Sequence, residues 1–235
     1  MNHAARTLAP RHALMPAAWL LAALLLGACA SSPRPPDWQV EAKGAMERSL
    51  AAYLESNSRV GAAELARVRT QLSRTGRADL LATAELLHCA ARVASLALGT
   101  CVGFEPLRLD ATPDQRAYAD YLRGQITPGQ IALLPEAQRA PAWGEAGAVA
   151  AIADPLSRLV AAGVLLQTGR ASPAVIVQAI DTASAQGWRR PLLGWLGVQL
   201  QRAEQAGDAQ EAARLRRRMA LVDNGPRLNL KEDNP

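Results

Sequence analysis

The stretch "LSRTGRADLLATAELLHCAARVASL", residues 72–96, contains a helix end, a turn and a helix start within its first seven residues. Leu72 closes an apolar stripe begun by Leu65 and Val68, the i, i+3, i+7 spacing of one helix face. Gly76 follows where a left-handed residue would end that helix. The next helix is expected to begin near Ala78 and run past Cys89, with Leu86, Cys89, Val93 and Leu96 sharing a stripe. Helix, tight turn, helix is therefore the local grammar, and the rest of the chain can be tested against it.

On the N-terminal side, residues 38–55 put Met46, Leu50, Tyr53 and Leu54 on one helical face, and Ser56-Asn57-Ser58 ends that face before a helix over 59–74. On the C-terminal side, Thr112-Pro113 with Gln115 and Thr127-Pro128 with Gln130 each supply an N-cap hydroxyl, a proline at the first helical position and a capping-box amide. Asp154-Pro155 and Ser172-Pro173 repeat the cap and the proline. These signals predict helices over 113–123, 128–133, 155–167 and 173–186, the second only a turn or two long. A final pair over 189–205 and 208–222 turns at Gly207-Asp208. With one phenylalanine, few Val/Ile clusters and long Ala/Leu/Arg/Gln/Glu runs, the expected class is all-α, built of stacked antiparallel helix hairpins.

Residues 124–147, with Pro128, Pro135, Pro141 and Trp143, are the least regular part. They read as a connector between an N-terminal lobe, 37–123, and a C-terminal lobe, 148–225, or as an ordered crossover packed by Ile131, Leu133 and Leu134. Residues 226–235, ending "LKEDNP", read as a disordered tail.

The turn "EQAGDAQEA", residues 204–212, resembles the Gly-Asp turn of a tetratricopeptide repeat followed by its small residue, here Ala212. "LSRTGRA" at 72–78 is echoed by "LLQTGRA" at 165–171. Leu200 stands where that family has a small residue, and no period of about 34 residues runs through the chain. The resemblance implies a tetratricopeptide-like or irregular α-solenoid stack and carries over no binding residue.

The beginning of the chain specifies an address. Arg6 and Arg11 precede a short apolar run, Met15 to Leu26, too short to span a bilayer as a mature helix. Leu26-Gly27-Ala28-Cys29 then resembles the lipobox of bacterial lipoproteins, which implies cleavage of residues 1–28 and lipidation of Cys29. Several acyl chains anchor a protein stably where one does not. Ala30 at the second mature position implies sorting to the outer membrane, facing the periplasm. Residues 29–36, "CASSPRPP", read as a stiff tether. Cleavage after Ala30 by an ordinary signal route is the alternative.

Removal of residues 1–28 leaves 207 residues with 24 basic side chains against 21 acidic, a formal charge of +3. That modest charge on an exported chain argues against a nucleic-acid partner. Cys89 and Cys101 form an even pair in an oxidising compartment and read as a disulfide, provided the helix carrying Cys89 ends near residues 94–96; two buried apolar thiols are the alternative. His88 is the only histidine after Cys29, and no further ligands at metal spacing accompany it, so no metal or cofactor is expected.

Glu55-Ser56 resembles the dipeptide that opens the catalytic motif of lytic transglycosylases. Asn57, Ser58, Arg59 and Val60 depart from the remainder of that family's motif. "GWRRPLLGWLG", residues 187–197, flanks two arginines with tryptophans, and Trp188, Arg189, Arg190 and Trp195 are candidate partner-binding anchors, or a packed helix start with Trp195 inside. The function expected is a non-enzymatic, membrane-anchored protein or peptide interaction module of the cell envelope. A peptidoglycan-acting enzyme or a purely structural subunit of an envelope complex are the alternatives.

Overall fold

The computed structural model describes residues 35–224, so the signal-like segment, Cys29, residues 30–34 of its tether and the C-terminal tail lie outside the described residues. Between Asp37 and the end of the described chain every regular element is helical. The α-helices are α1 Asp37–Leu54, α2 Ser58–Ser73, α3 Ala78–Ala94, α4 Pro113–Leu122, α5 Glu136–Ala142, α6 Pro155–Gln167, α7 Pro173–Ala185, α8 Arg189–Gln205 and α9 Ala209–Asn224. Short 3-10 turns at Glu105–Leu107, Pro128–Leu133 and Ala146–Ala151 fill the connections.

The predicted caps form. Thr112 accepts from the Gln115 amide while Gln115 Oε1 accepts from the Thr112 amide, so α4 starts with two orphan donors satisfied. Asp154 and Ser172 accept from Ser157 and Val175 in the same way at the starts of α6 and α7. At Thr127 only half of the device forms. Its hydroxyl donates to Gln130 Oε1 instead of accepting from the backbone, and the segment winds as a 3-10 turn.

The irregular stretch contains a helix that the sequence conceals. In α5 Pro141 occupies the last turn, where a proline reads as a breaker but costs only one intrahelical bond. The crossover is built into the core, with Ile131 and Leu134 buried and Leu133 left partly outside.

Two clusters of buried side chains share α3 as a partition. One face of α3, with Ala82, Leu86, Cys89 and Val93, joins a large core that continues through Phe104, Leu122, Leu159, Ile176 and Trp195 to Leu215. The opposite face, at Ala84, joins a small cluster with Met46, Leu65, Val68 and Leu72 from α1 and α2. α3 packs directly against α6, and Gly163 makes that approach possible: a Cβ there would lie 2.5 Å from the Val93 carbonyl oxygen. Helix starts fall at uneven intervals, so the hairpins α1–α2, α6–α7 and α8–α9 stack without a fixed repeat among the described residues.

Cys89 and Cys101 are joined as a disulfide, with α-carbons 5.4 Å apart. The condition for it is met because α3 stops at Ala94. Leu96 turns left-handed at φ 59°, its amide donating to Val93 O and the Ala97 amide to Arg92 O, so the chain doubles back at once. Phe104, fully buried, and Gly103 fix the returning strand of loop. A Cβ on Gly103 would collide with Glu85 Oε2 at 1.9 Å.

Candidate functional site

The outward strip of α3 carries apolar surface that its neighbours leave partly uncovered. Leu80, Thr83 and Leu87 recur at i, i+3 and i+7, and Leu87 is 39% exposed on a helix whose neighbours Leu86, Cys89 and Ala90 are buried. α1 rises on one side of this strip and the α4–α5 crossover on the other.

A cleft of about 280 Å³ lies on the α1 side, lined by Trp38, Ala42, Met46, Leu72, Leu80 and Leu87. A second, of about 450 Å³, lies on the other side, lined by Leu87, Gln115, Tyr118, Leu133, Pro135 and Arg139. Thr83 and Leu87 line both, so the clefts adjoin along α3.

The walls are mostly apolar, with sparse polar groups at the rim. Gln115 crosses from α4 to α3, its Nε2 donating to Asp79 O at 2.7 Å and Thr83 Oγ1 at 2.9 Å, which holds the far wall in place. Tyr118 presents its ring to the cleft and stacks on Tyr121, with centroids 6.2 Å apart. Burial pushes both phenols well above their usual range, and Asp154 adds to the effect at Tyr118. Tyr121 donates to Gln138 at 2.7 Å, and Gln138 in turn donates to Ser157 O, so the wall behind the cleft is a satisfied polar network. Arg139 donates to Leu134 O and stands at the mouth.

The Trp/Arg segment is dispersed by the fold. Trp195 is fully buried and donates from Nε1 to Ala94 O at 3.1 Å. It caps the end of α3 from within the core, so of the two readings of this residue the packed one holds and the interface-anchor one is corrected. Trp188 is half-buried against the large core. Arg189 pairs with Asp223 at 3.0 Å, tying the start of α8 to the end of α9.

Arg190 reaches 137 residues back along the chain. It donates from Nε to Tyr53 O and from Nη2 to Ser58 Oγ, with its guanidinium 4.3 Å from the Tyr53 ring centroid. Tyr53 also meets His88 edge-on, centroids 5.4 Å apart. Burial raises the Tyr53 phenol, opposed by Arg190 and Arg92, and burial holds the His88 imidazole below its ordinary value, opposed by Glu85.

Glu55 is exposed in the turn after α1, next to Ser56 at φ 71°, rather than enclosed as a general acid of a glycosidase would be. Among the described residues no group of three or more His, Cys, Asp or Glu comes together to hold a metal ion.

The cleft pair was not legible as a site in the sequence. Its lining comes from α1, α2, α3, α4 and the crossover, and the local signal, Leu87 breaking the buried pattern of α3, is one residue deep. The chain matches no protein-family model, no curated protein and no solved structure.

Proposed function

We propose that the chain is a lipid-anchored interaction module of the bacterial envelope that receives an apolar peptide segment of a partner protein on the outward strip of α3. Partly exposed Leu87, set between two adjoining clefts whose walls are mainly apolar, carries this reading. Grooves of this kind take one face of an amphipathic helix, whose anchors recur at i, i+3 or i+4 and i+7. The lipobox-like Leu26-Gly27-Ala28-Cys29 supports the anchor, and with it a place on the periplasmic face of the outer membrane.

The test is site-specific photo-crosslinking in cells with the probe at Leu87, and at Val177 on the outer face of α7 as the comparison. A discrete adduct at Leu87 and none at Val177 is expected. Leu87→Asp should abolish both the cellular role and the adduct formed from a probe at Leu133, because a charge in an apolar groove must be desolvated. In the same cells Cys29→Ala should move the protein out of the outer-membrane fraction. A cellular role left intact by Leu87→Asp in a folded protein sinks the groove reading. Unchanged fractionation of Cys29→Ala sinks the anchor.

A further inference from the structure

One end of the molecule combines an uncharged loop with arginines that have no carboxylate partner. Residues 95–104, "SLALGTCVGF", carry no charge. Leu98 is 38% and Val102 69% exposed, and Ala97, Gly99 and Thr100 are exposed with them. The loop is held rigidly by the Cys89–Cys101 disulfide at one point and by buried Phe104 at another, so these side chains stand out from a fixed base.

The last turn of α1 lies beside the last turns of α3, as Tyr53 against His88 shows, and the start of α8 closes on both through Arg190 and Gly194. The loop and these helix ends therefore share one end of the fold. Arg92 belongs to the turn from which the loop leaves, its carbonyl accepting from Ala97. Arg59 follows Ser58, the residue that Arg190 grips. Among the described residues Arg59, Arg92 and Arg190 make no ion pair. The acids at this end include Glu55, Asp223, which holds Arg189, Glu85, which is held bidentately by Arg69, and Glu105, which follows the loop and is held bidentately by Arg108.

We infer that this end is a membrane-contacting surface, with Leu98 and Val102 entering the interface of a bilayer and Arg59, Arg92 and Arg190 meeting its anionic headgroups. Leu98 and Val102 are exposed and line neither cleft beside α3, which suits insertion among lipid headgroups. The loop's lack of charge avoids desolvating an ion, and the basic surround supplies attraction to a negative surface. The contact is separate from the α3 groove and does not require acylation. It is also compatible with an anchor.

The experiment is hydrogen exchange of the full-length protein with nanodiscs of phosphatidylcholine alone, with nanodiscs containing phosphatidylglycerol, and in detergent. Amides of residues 97–102 should exchange at least about tenfold more slowly with the anionic nanodiscs than with the zwitterionic ones, equivalent to about 1.4 kcal/mol. Added salt should erode the difference. The Arg59→Gln/Arg92→Gln double variant should remove the dependence on lipid charge, and Leu98→Asp/Val102→Asp should remove the protection. All four side chains lie outside the core, and unchanged exchange in α3 and α6 verifies each variant's fold. Equal exchange under all three conditions, or protection that survives Leu98→Asp/Val102→Asp, overturns the inference. Protection found only in intact envelopes overturns it in favour of a protein at this surface.

Discussion

Among the described residues two that are not glycine, Ser56 and Leu96, adopt left-handed backbone, and each marks a place where the chain must turn at once. For Leu96 the conformation costs about 1–2 kcal/mol. What it gains is position. The turn leaves Ser95 O facing Gly194, where a Cβ would lie at 3.1 Å, and leaves the Ala94 carbonyl free to accept from Trp195. Removing a fully buried tryptophan costs about 3–5 kcal/mol, which outweighs the strain. His88 is a second residue whose environment has a measurable consequence. Burial is the largest influence on it, Glu85 opposes, and Arg92 and Arg69 reinforce the lowered pKa. The unfolded chain therefore takes up the proton first as pH falls. The stability that the neutral ring contributes is complete above its ordinary value and is lost as pH drops through that value towards the folded-state pKa. The lowered carboxyls of Asp79, Glu105 and Glu211 titrate further down and do not act in that window. Urea midpoints measured at about pH 7.5 and about pH 5.5 should fall for the native protein and stay nearly level for His88→Gln. An equal fall in both would assign the dependence to other groups.

At the scale of elements, the loop from Leu96 to Phe104 depends on its staple. Cross-linking two residues across a loop of this size removes unfolded-state freedom worth about 3 kcal/mol. Reduction, or the Cys89→Ala/Cys101→Ala pair, should lower stability by about that amount in denaturant titrations. Exchange should rise first in residues 97–102, with α6 and α7 retaining their protection. A loss confined to well under 1 kcal/mol would mean that Phe104 and Gly103 hold the loop unaided. Helix starts were legible because they are chemically local: Thr112-Pro113 and Gln115 satisfy each other's donors within four residues. The disulfide was legible for a related reason, since the rise of a helix limits where it can end. α5 was not legible, because Pro141 speaks against a helix unless its position in the last turn is already known. Arg190 on Tyr53 and the groove along α3 were out of reach, because each depends on contacts between residues distant in the chain, and for the same reason the sequence left Trp195 open between an interface anchor and a packed position.

For the whole molecule, the two unequal clusters on either side of α3 imply two levels of stability. The α1–α2 cluster buries Ala42, Ala45, Met46, Leu65, Val68 and Leu72, a small set in which two members are alanine, whereas the other cluster runs from α3 through α9 and includes Phe104, Tyr121 and Trp195. Buried apolar area stabilises at about 25 cal/mol per Å², so α1 and α2 should open at lower free energy than α3, α6 and α8. Polar ties across the boundary limit the difference. Arg69 binds Glu85 of α3 at 2.5 and 2.8 Å, and Arg190 binds the α1–α2 turn at Tyr53 and Ser58. Arg190→Ala leaves the Tyr53 carbonyl without that donor and removes the cation over the ring, a loss of about 1–3 kcal/mol felt first by the elements it ties down. Native-state hydrogen exchange should therefore show α1 and α2 opening as a unit below global unfolding, with Arg190→Ala lowering that opening energy and leaving α6 and α7 unchanged. Exchange that rises equally in every helix would mean that α3 couples the two clusters into one cooperative fold. In that case a ligand that wedges α1 away from the groove would have to work against the stability of the whole molecule, and the groove would act as a preformed slot with fixed walls.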